Sequence, residues 1–313
     1  MFRPWRSFPT MVASGLVVGL ATGGFPVFSQ EISQAALVIA MTFSLTEISF
    51  VGISPRDEVR GFLLAVLMSY GVLSGLVLAF AYLAPDAAIH DGWVLMAAVP
   101  PAVAVIPITS ILRGDVRRAL ISLAILYLLG LVLVPVITLA FTDQPAPVST
   151  LVLQTILLIG VPLVASRALR RWRPIADARP TAVSVSFFVL VLAIAGSTRA
   201  PLLARPELVI SLSVLSFVRT FGLGLAVLVV ARSLRLAEEE RVAVTTFSSF
   251  KNLGLTVVLA FSMFGAAATL PSIFSLVFEI LWLAALPVLF ARIGRPADGI
   301  EKSGSGKSGN REA

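Results

Sequence analysis

The sequence predicts an all-α polytopic membrane protein: ten transmembrane helices in two inverted five-helix repeats, with helices 4 and 9 discontinuous. Three observations lead there. Of 313 residues, 58% are hydrophobic and only 13% charged, about half the charged fraction of ordinary globular proteins. Mean hydropathy is +0.97, so polar surface is too scarce to cover a soluble particle. Ten apolar stretches reach membrane-spanning length, and the Lys and Arg residues gather in alternate connections between them.

The spans run over about 9–27, 34–53, 61–83, 92–112, 119–142, 148–166, 181–197, 208–231, 242–264 and 270–291. Each approaches the roughly 20 helical residues that a hydrocarbon core requires. Runs such as Leu120–Leu139 lack the polar–apolar alternation of a barrel strand, so the spans are helices. Arg3 and Arg6 ahead of the first apolar run also fit a signal peptide, although no small-x-small cleavage site leads into a soluble region.

Loop charge sets the orientation. With the N-terminus inside, 20 of the 24 Lys and Arg fall on the inner side, and only Arg199 and Arg205 on the outer. That bias is the positive-inside pattern of a multi-pass protein of the inner (cytoplasmic) membrane with both termini cytoplasmic. The net charge of +7 therefore marks cytoplasmic loops rather than a nucleic-acid partner. Residues 1–295 read as a single transmembrane transporter domain, with repeat 1 over about 9–142 and repeat 2 over about 148–291. Residues 296–313 are a Gly/Ser/Lys tail expected to be disordered and cytoplasmic.

Several chemistries are excluded. There is no cysteine and a single histidine, His90, so neither a thiolate site nor a multi-histidine metal site can form. Gly306-Lys307-Ser308 is no phosphate loop, since Glu301 stands where that motif needs glycine. Arg113-Gly114-Asp115 is a tight turn. No catalytic residue, metal or cofactor is expected.

Five spans per half is an odd number, so halves sharing a fold must lie in opposite orientations, the plan of many secondary transporters. The fourth span of each half is anomalous. Span 4 carries Pro100-Pro101 and Pro107, and each proline removes a donor and clashes with the preceding turn. Span 9 carries Ser248-Ser249-Phe250-Lys251-Asn252-Leu253-Gly254, the most polar stretch of any span. Irregular backbone at membrane depth survives only when buried in protein or lining a cavity, so both breaks point to a central substrate site.

The proline-centred start of span 4, the Arg113-Gly114-Asp115-Val116 turn, Asn252-x-Gly254-Leu255 and Phe274-Ser275-Leu276 occur in an order that resembles the bile acid:sodium symporter family over about residues 10–295. The resemblance implies ten helices in two inverted repeats, with helices 4 and 9 broken and crossing near the membrane centre. It also exposes departures. Where the family holds sodium in span 4, this chain has Pro101-Ala102-Val103-Ala104-Val105-Ile106, which lacks side-chain oxygens. Where the family has a glutamate and a glutamine in span 9, this chain has Phe247 and Lys251. Sodium is therefore not expected as a coupling ion, and transport is expected to be either uncoupled from ions or driven by a proton cycling on Lys251 or Glu279.

Four ionisable residues fall within spans: Glu47, Arg219, Lys251 and Glu279. Each costs about 2.5–3.5 kcal/mol at mid-helix, so each must pair or line a cavity. Two cations and two anions can neutralise one another. Lys251 and Glu279 are placed at the transport site, Glu279 where the family faces its substrate cavity, and Arg219 is either an anion contact or the partner of Glu279. Ser248, Ser249 and Asn252 join them from the break, and Pro100 and Pro101 from the opposing one. Gly15-x-x-x-Gly19 and Gly71-x-x-x-Gly75 read as close-packing motifs, and Trp93 and Trp172 as interface anchors.

The function expected is a secondary active transporter, symporter-like and working by alternating access, for a small organic solute, with an organic anion as the expected class. Its partners are that solute and the lipid bilayer. The alternatives are an arsenite-type efflux permease, which would be expected to use a thiol, and a non-transporting membrane receptor. An intramembrane enzyme would need a mid-span histidine or aspartate pair, and the spans hold neither.

Overall fold

A computed structural model describes residues 7–48, 55–142, 147–171 and 174–293. Arg3, Arg6, Trp172, Arg173 and the tail 296–313 lie outside the described residues. Within them all regular structure is helical. Six helices are long and apolar enough to cross a membrane: Val59–Ala81, Val116–Phe141, Val148–Leu169, Ile175–Ala204, Glu207–Ser233 and Ala267–Arg292. The chain is a multi-pass membrane protein.

The helices follow the apolar stretches closely. α1 (Phe8–Thr22) stops at Gly23, whose φ of +86° suits a residue without Cβ. α2 (Ser29–Ser44) tightens into a 3-10 turn, Leu45–Glu47. α3 (Pro55–Val66) continues through a π-helical stretch, Leu67–Leu73, into α4 (Ser74–Ala81). α5 (Ala87–Ala98) and α6 (Val105–Ile111) are the two halves of span 4, and α7 (Val116–Phe141) begins at an Asp115 cap.

The second half begins with α8 (Val148–Thr155), joined through a π stretch to α9 (Val161–Leu169). α10 (Ile175–Ala204) follows. α11 (Glu207–Phe217) passes through another π stretch, Val218–Gly222, into α12 (Leu223–Ser233). α13 (Glu238–Phe247) and α14 (Leu253–Phe264) are the halves of span 9, and α15 (Leu270–Ile293) completes the set. A π-interrupted helix, a broken helix and a long helix thus recur in the same order in both halves.

The breaks have local causes. Val99 precedes Pro100, and the proline ring drives its predecessor out of the helical region, to ψ 153° at Val99. In span 9 the chain leaves the helix after Phe247 and re-enters at Leu253, where Asn252 caps the new helix by accepting the Leu255 N–H at 3.1 Å.

The helices form two packed groups. α1, α2, α9 and α10 make one. In it Gly15, Gly19 and Gly196 allow backbones to touch: a Cβ on Gly196 would lie 2.3 Å from the Gly24 nitrogen. The other group is built around α5, α7, α14 and α15, with α5 beside α14 and α6 beside α13, so the two broken helices lie against each other half to half.

The ends of the assembly differ. At one, the arginine-rich connections meet: Arg60 pairs with Glu240 at 3.0 Å, Gly114 lies against Val242, and Arg167 holds the Ile48 carbonyl. We call this the basic end. At the other, Arg205 pairs with Asp86, and Gln34 joins Ser262 at 2.9 Å and Gln154 at 3.2 Å.

Two sequence expectations need correction. Trp93 is wholly buried, edge-on to Phe80 at 5.7 Å between ring centroids, and is a core residue rather than an interface anchor. Gly71 and Gly75 do not admit a neighbouring helix, since a Cβ at Gly75 would meet open space and one at Gly71 only its own helix's Leu67. The small-residue spacing is the same as at Gly15 and Gly19, but the face it lies on is not an interface.

Candidate functional site

The two breaks are stitched together by the main chain and by one side chain. The Asn252 N–H donates to the Pro100 carbonyl at 3.0 Å. The Lys251 ammonium donates to the carbonyls of Val99 (2.8 Å) and Ala97 (3.1 Å) and to Ser74 Oγ (2.9 Å). Ala97 and Val99 close α5, where unpaired carbonyls make a helix electronegative, worth about half a unit of charge. An ammonium has three protons and accepts nothing, so these acceptors engage all of them. Nζ also stands 4.3 Å from the centre of the Tyr70 ring, on the favourable face for a cation. Lys251 is wholly buried.

Behind Lys251 lies the carboxylate. Glu279 Oε1 accepts the Lys251 main-chain N–H at 3.1 Å and pairs with Arg219 Nη2. Arg219 is also wholly buried, and its Nε and Nη1 have no partner among the described residues. Of the two readings open for Arg219, the structure shows the pairing with Glu279. Glu279 thus takes one cation, Arg219, and one main-chain donor, Lys251 N–H, while the Lys251 ammonium points to the other break.

Glu47 does not join this group. It pairs with Arg179 at 2.9 Å, a residue counted in the sequence with the charges of a loop. Helix α10 begins earlier than span 7 was drawn, at Ile175, and carries Arg179 on its first turns. The 3-10 turn bearing Glu47 is held from behind by Arg167, bonded to the Leu45 and Ile48 carbonyls, and by Arg170 on Ile48 at 3.2 Å.

Between the two helix groups is a cavity of about 420 Å³. Its charged lining is Glu47, Arg179, Lys251 and Glu279, joined by Ser44, Ser184 and Asn252; Phe8, Met41, Phe187, Phe250, Leu276 and Ile280 are among its apolar walls. Glu47 and Arg179 each expose 27% of their side chains and sit at the basic end, whereas Glu279 exposes 8% and Lys251 none that counts toward solvent. The cavity thus opens toward the basic end, and Gln34, Gln154 and Ser262 bridge the helices at the other.

Of the remaining site expectations, Asn252 borders the cavity and Ser248, Ser249, Pro100 and Pro101 do not. Ser248 and Ser249 both bond back to the Thr245 carbonyl, at 3.1 and 2.7 Å, and are buried; this is the usual satisfaction of a helical hydroxyl. Pro100 and Pro101 are buried, Pro100 against Gly130, and shape the break rather than line the cavity. Asn252 caps α14 and donates to the Tyr127 hydroxyl at 2.9 Å, so its amide is engaged on both sides although it borders the cavity.

Sequence reasoning missed Ser74, Tyr70, Tyr127 and Arg179. Ser74 and Tyr70 approach Lys251 through the π stretch of span 3, and no pattern of residue types marks such a stretch. Arg219 sits in the corresponding π stretch of span 8. Such bulges concentrate at functional sites.

Comparison with known proteins adds one finding. The model of the SBF-like CPA transporter family matches residues 54–295, which takes in both broken helices and both π stretches of spans 3 and 8. The match begins at span 3, later than the residue 10 from which the resemblance was drawn. No curated protein matches the sequence.

Proposed function

The chain belongs to the SBF-like CPA transporter family, and from that premise we propose that it is a sodium-independent secondary transporter moving a small organic anion by alternating access. One observation carries the reading: a lysine ammonium from one helix break is bonded to the carbonyls that end α5 at the other. A sodium ion there would contribute one positive charge to hold the broken ends together. Lys251 supplies that charge through a covalent tether and cannot leave, so it replaces the ion without being transported.

Charge bookkeeping supports an anionic solute. Lys251 and Arg219 outnumber Glu279, and the Glu47–Arg179 pair is neutral, which leaves one excess positive charge around the cavity. An organic anion would neutralise it. The coupling left to such a site is a proton on Lys251 or Glu279, or none.

We further read the chain as ten crossings in a single domain, two inverted repeats with both termini cytoplasmic in the inner membrane. The charge split between loops and the recurrence of π-interrupted, broken and long helices support this. On that orientation the basic end is the cytoplasmic one, and the cavity is the inward-open form of the site. The test is uptake of labelled organic acids into reconstituted vesicles with sodium and proton gradients imposed separately. Flux unchanged by external sodium at fixed pH and membrane potential is the expected result; a steep rise with sodium refutes the reading.

A further inference from the structure

Which group meets the anion is a separate question, because the buried cations are already committed. Lys251 spends its ammonium protons on Val99, Ala97 and Ser74, and its main-chain N–H on Glu279. Arg219 pairs with Glu279 and does not line the cavity. The remaining cation on the wall is Arg179. Its side chain is 27% exposed and faces the cavity, and Nη2 touches Glu47 at 2.9 Å.

We propose that Arg179 holds the charged end of the solute and that Glu47 occupies it when the site is empty, so that solute and Glu47 compete for one guanidinium. This rests on the anion-transport reading above. A guanidinium offers five donors in a planar fork that matches a carboxylate through two parallel bonds. A partly exposed ion pair contributes little net stability, so exchanging one carboxylate for another requires no large reorganisation. Glu47 is well placed for the part: Arg167 and Arg170 pin its turn by the Leu45 and Ile48 carbonyls, which keeps the internal carboxylate at the rim rather than following Arg179 inward.

The walls name the rest of the ligand. Away from the Glu47–Arg179 rim the apolar walls include Phe187, Phe250, Leu276 and Ile280, and the part of the cavity nearest the helix breaks is bordered by Asn252, the committed Lys251 and the Glu279 carboxylate. The ligand class is therefore a monocarboxylate with an apolar body, its carboxylate at the rim and its hydrocarbon toward the helix breaks. A dicarboxylate would bury its second charge against these walls and beside the Glu279 carboxylate, with the Lys251 ammonium already engaged.

Thermal unfolding of the purified protein, titrated with benzoate, cyclohexanecarboxylate and acetate and with benzylamine and benzamide as controls, tests this. The wild type is expected to be stabilised by the carboxylates, benzoate before acetate, and not by benzylamine or benzamide. Arg179→Gln should raise the half-saturating benzoate concentration at least tenfold, Arg179→Lys less, and Glu47→Gln should lower it severalfold because the competitor is gone. Melting of each variant without benzoate reports whether it folds. A merely structural ion pair would make Glu47→Gln weaken benzoate binding as Arg179→Gln does, and that result overturns the proposal while leaving anion transport standing. Unchanged benzoate binding in Arg179→Gln overturns it equally. A wild type that responds to none of the three carboxylates overturns the anion reading and this proposal together.

Discussion

The main-chain N–H of Asn252 donates to the carbonyl of Pro100 at 3.0 Å, so the two interrupted helices are joined at their breaks by their own backbones. Proline supplies the carbonyl and cannot supply a donor; the opposing break supplies the donor. Each interruption thus satisfies a group exposed by the other, which explains how unwound chain persists at this depth. The lysine one residue earlier completes the junction by covering the last carbonyls of α5.

The Arg219–Glu279 pair should behave as one unit in stability. Glu279→Gln leaves a buried guanidinium without its counter-charge, a loss of about 3–5 kcal/mol for a fully buried pair. Arg219→Gln strands the carboxylate instead. The double variant Arg219→Gln/Glu279→Gln should recover part of that loss in detergent-solubilised protein, measured by thermal or denaturant unfolding. Strictly additive losses would rule out the coupling.

At the other end of the molecule, Asp86 carries a pH-dependent contribution. Partial burial pushes its carboxyl up, but the Ile89 N–H and the Arg205 guanidinium together hold it below the usual value of 3.8. A folded-state value below the unfolded one means the stabilisation is fully present above about pH 4 and is lost as pH falls through the folded value. Asp86→Ala removes both the α5 cap and the ion pair and should cost about 1 kcal/mol near neutrality. The difference from wild type should shrink toward pH 3. A gap that persists undiminished at that pH would show that the carboxylate charge is not its source.

The cavity's direction is open to chemical labelling, since the chain has no cysteine. Ser44 lines the cavity, and Leu203 is exposed near the opposite end. A membrane-impermeant cationic thiol reagent should reach Ser44→Cys in inside-out vesicles and Leu203→Cys in intact cells. The reverse pattern would invert the proposed orientation.

Much of this architecture is legible in the residues because apolar length and proline act locally. The described helices overlap the apolar stretches, six of them at membrane-spanning length, and both breaks lie where prolines or a polar cluster interrupt apolar sequence. The partners of Lys251 are not legible in the same way. Ser74 is one of many membrane serines, and only the π stretch before it turns it toward span 9. Arg179 was hidden by an opposite error: a charge near a span end reads as loop, whereas α10 carries it into the cavity wall. Trp93 shows the same limit, because an aromatic near a span end is compatible with either a headgroup or a core, and packing against Phe80 decides it.

Lys251 offers the most discriminating experiment, because on the proposed reading its removal should open a place for the ion it stands in for. Lys251→Gln keeps much of the volume but not the charge, and should abolish solute flux while the protein still folds. Lys251→Ala removes the ammonium altogether and leaves the Ala97 and Val99 carbonyls and Ser74 Oγ facing one another around a vacated space. Losing hydrogen bonds to a charged donor costs about 1.5–3 kcal/mol each when the acceptors stay buried, so this variant should melt well below the wild type. A monovalent cation fits such a set of hard oxygens. Added sodium should therefore raise the melting temperature of Lys251→Ala and leave the wild type unmoved, with choline as the control for ionic strength. Stabilisation follows mass action, growing with the logarithm of ion concentration above the dissociation constant. A Lys251→Ala protein that folds but responds to sodium, potassium and choline alike would mean that Lys251 is a structural strut, and that the junction of the two breaks has no place for an ion.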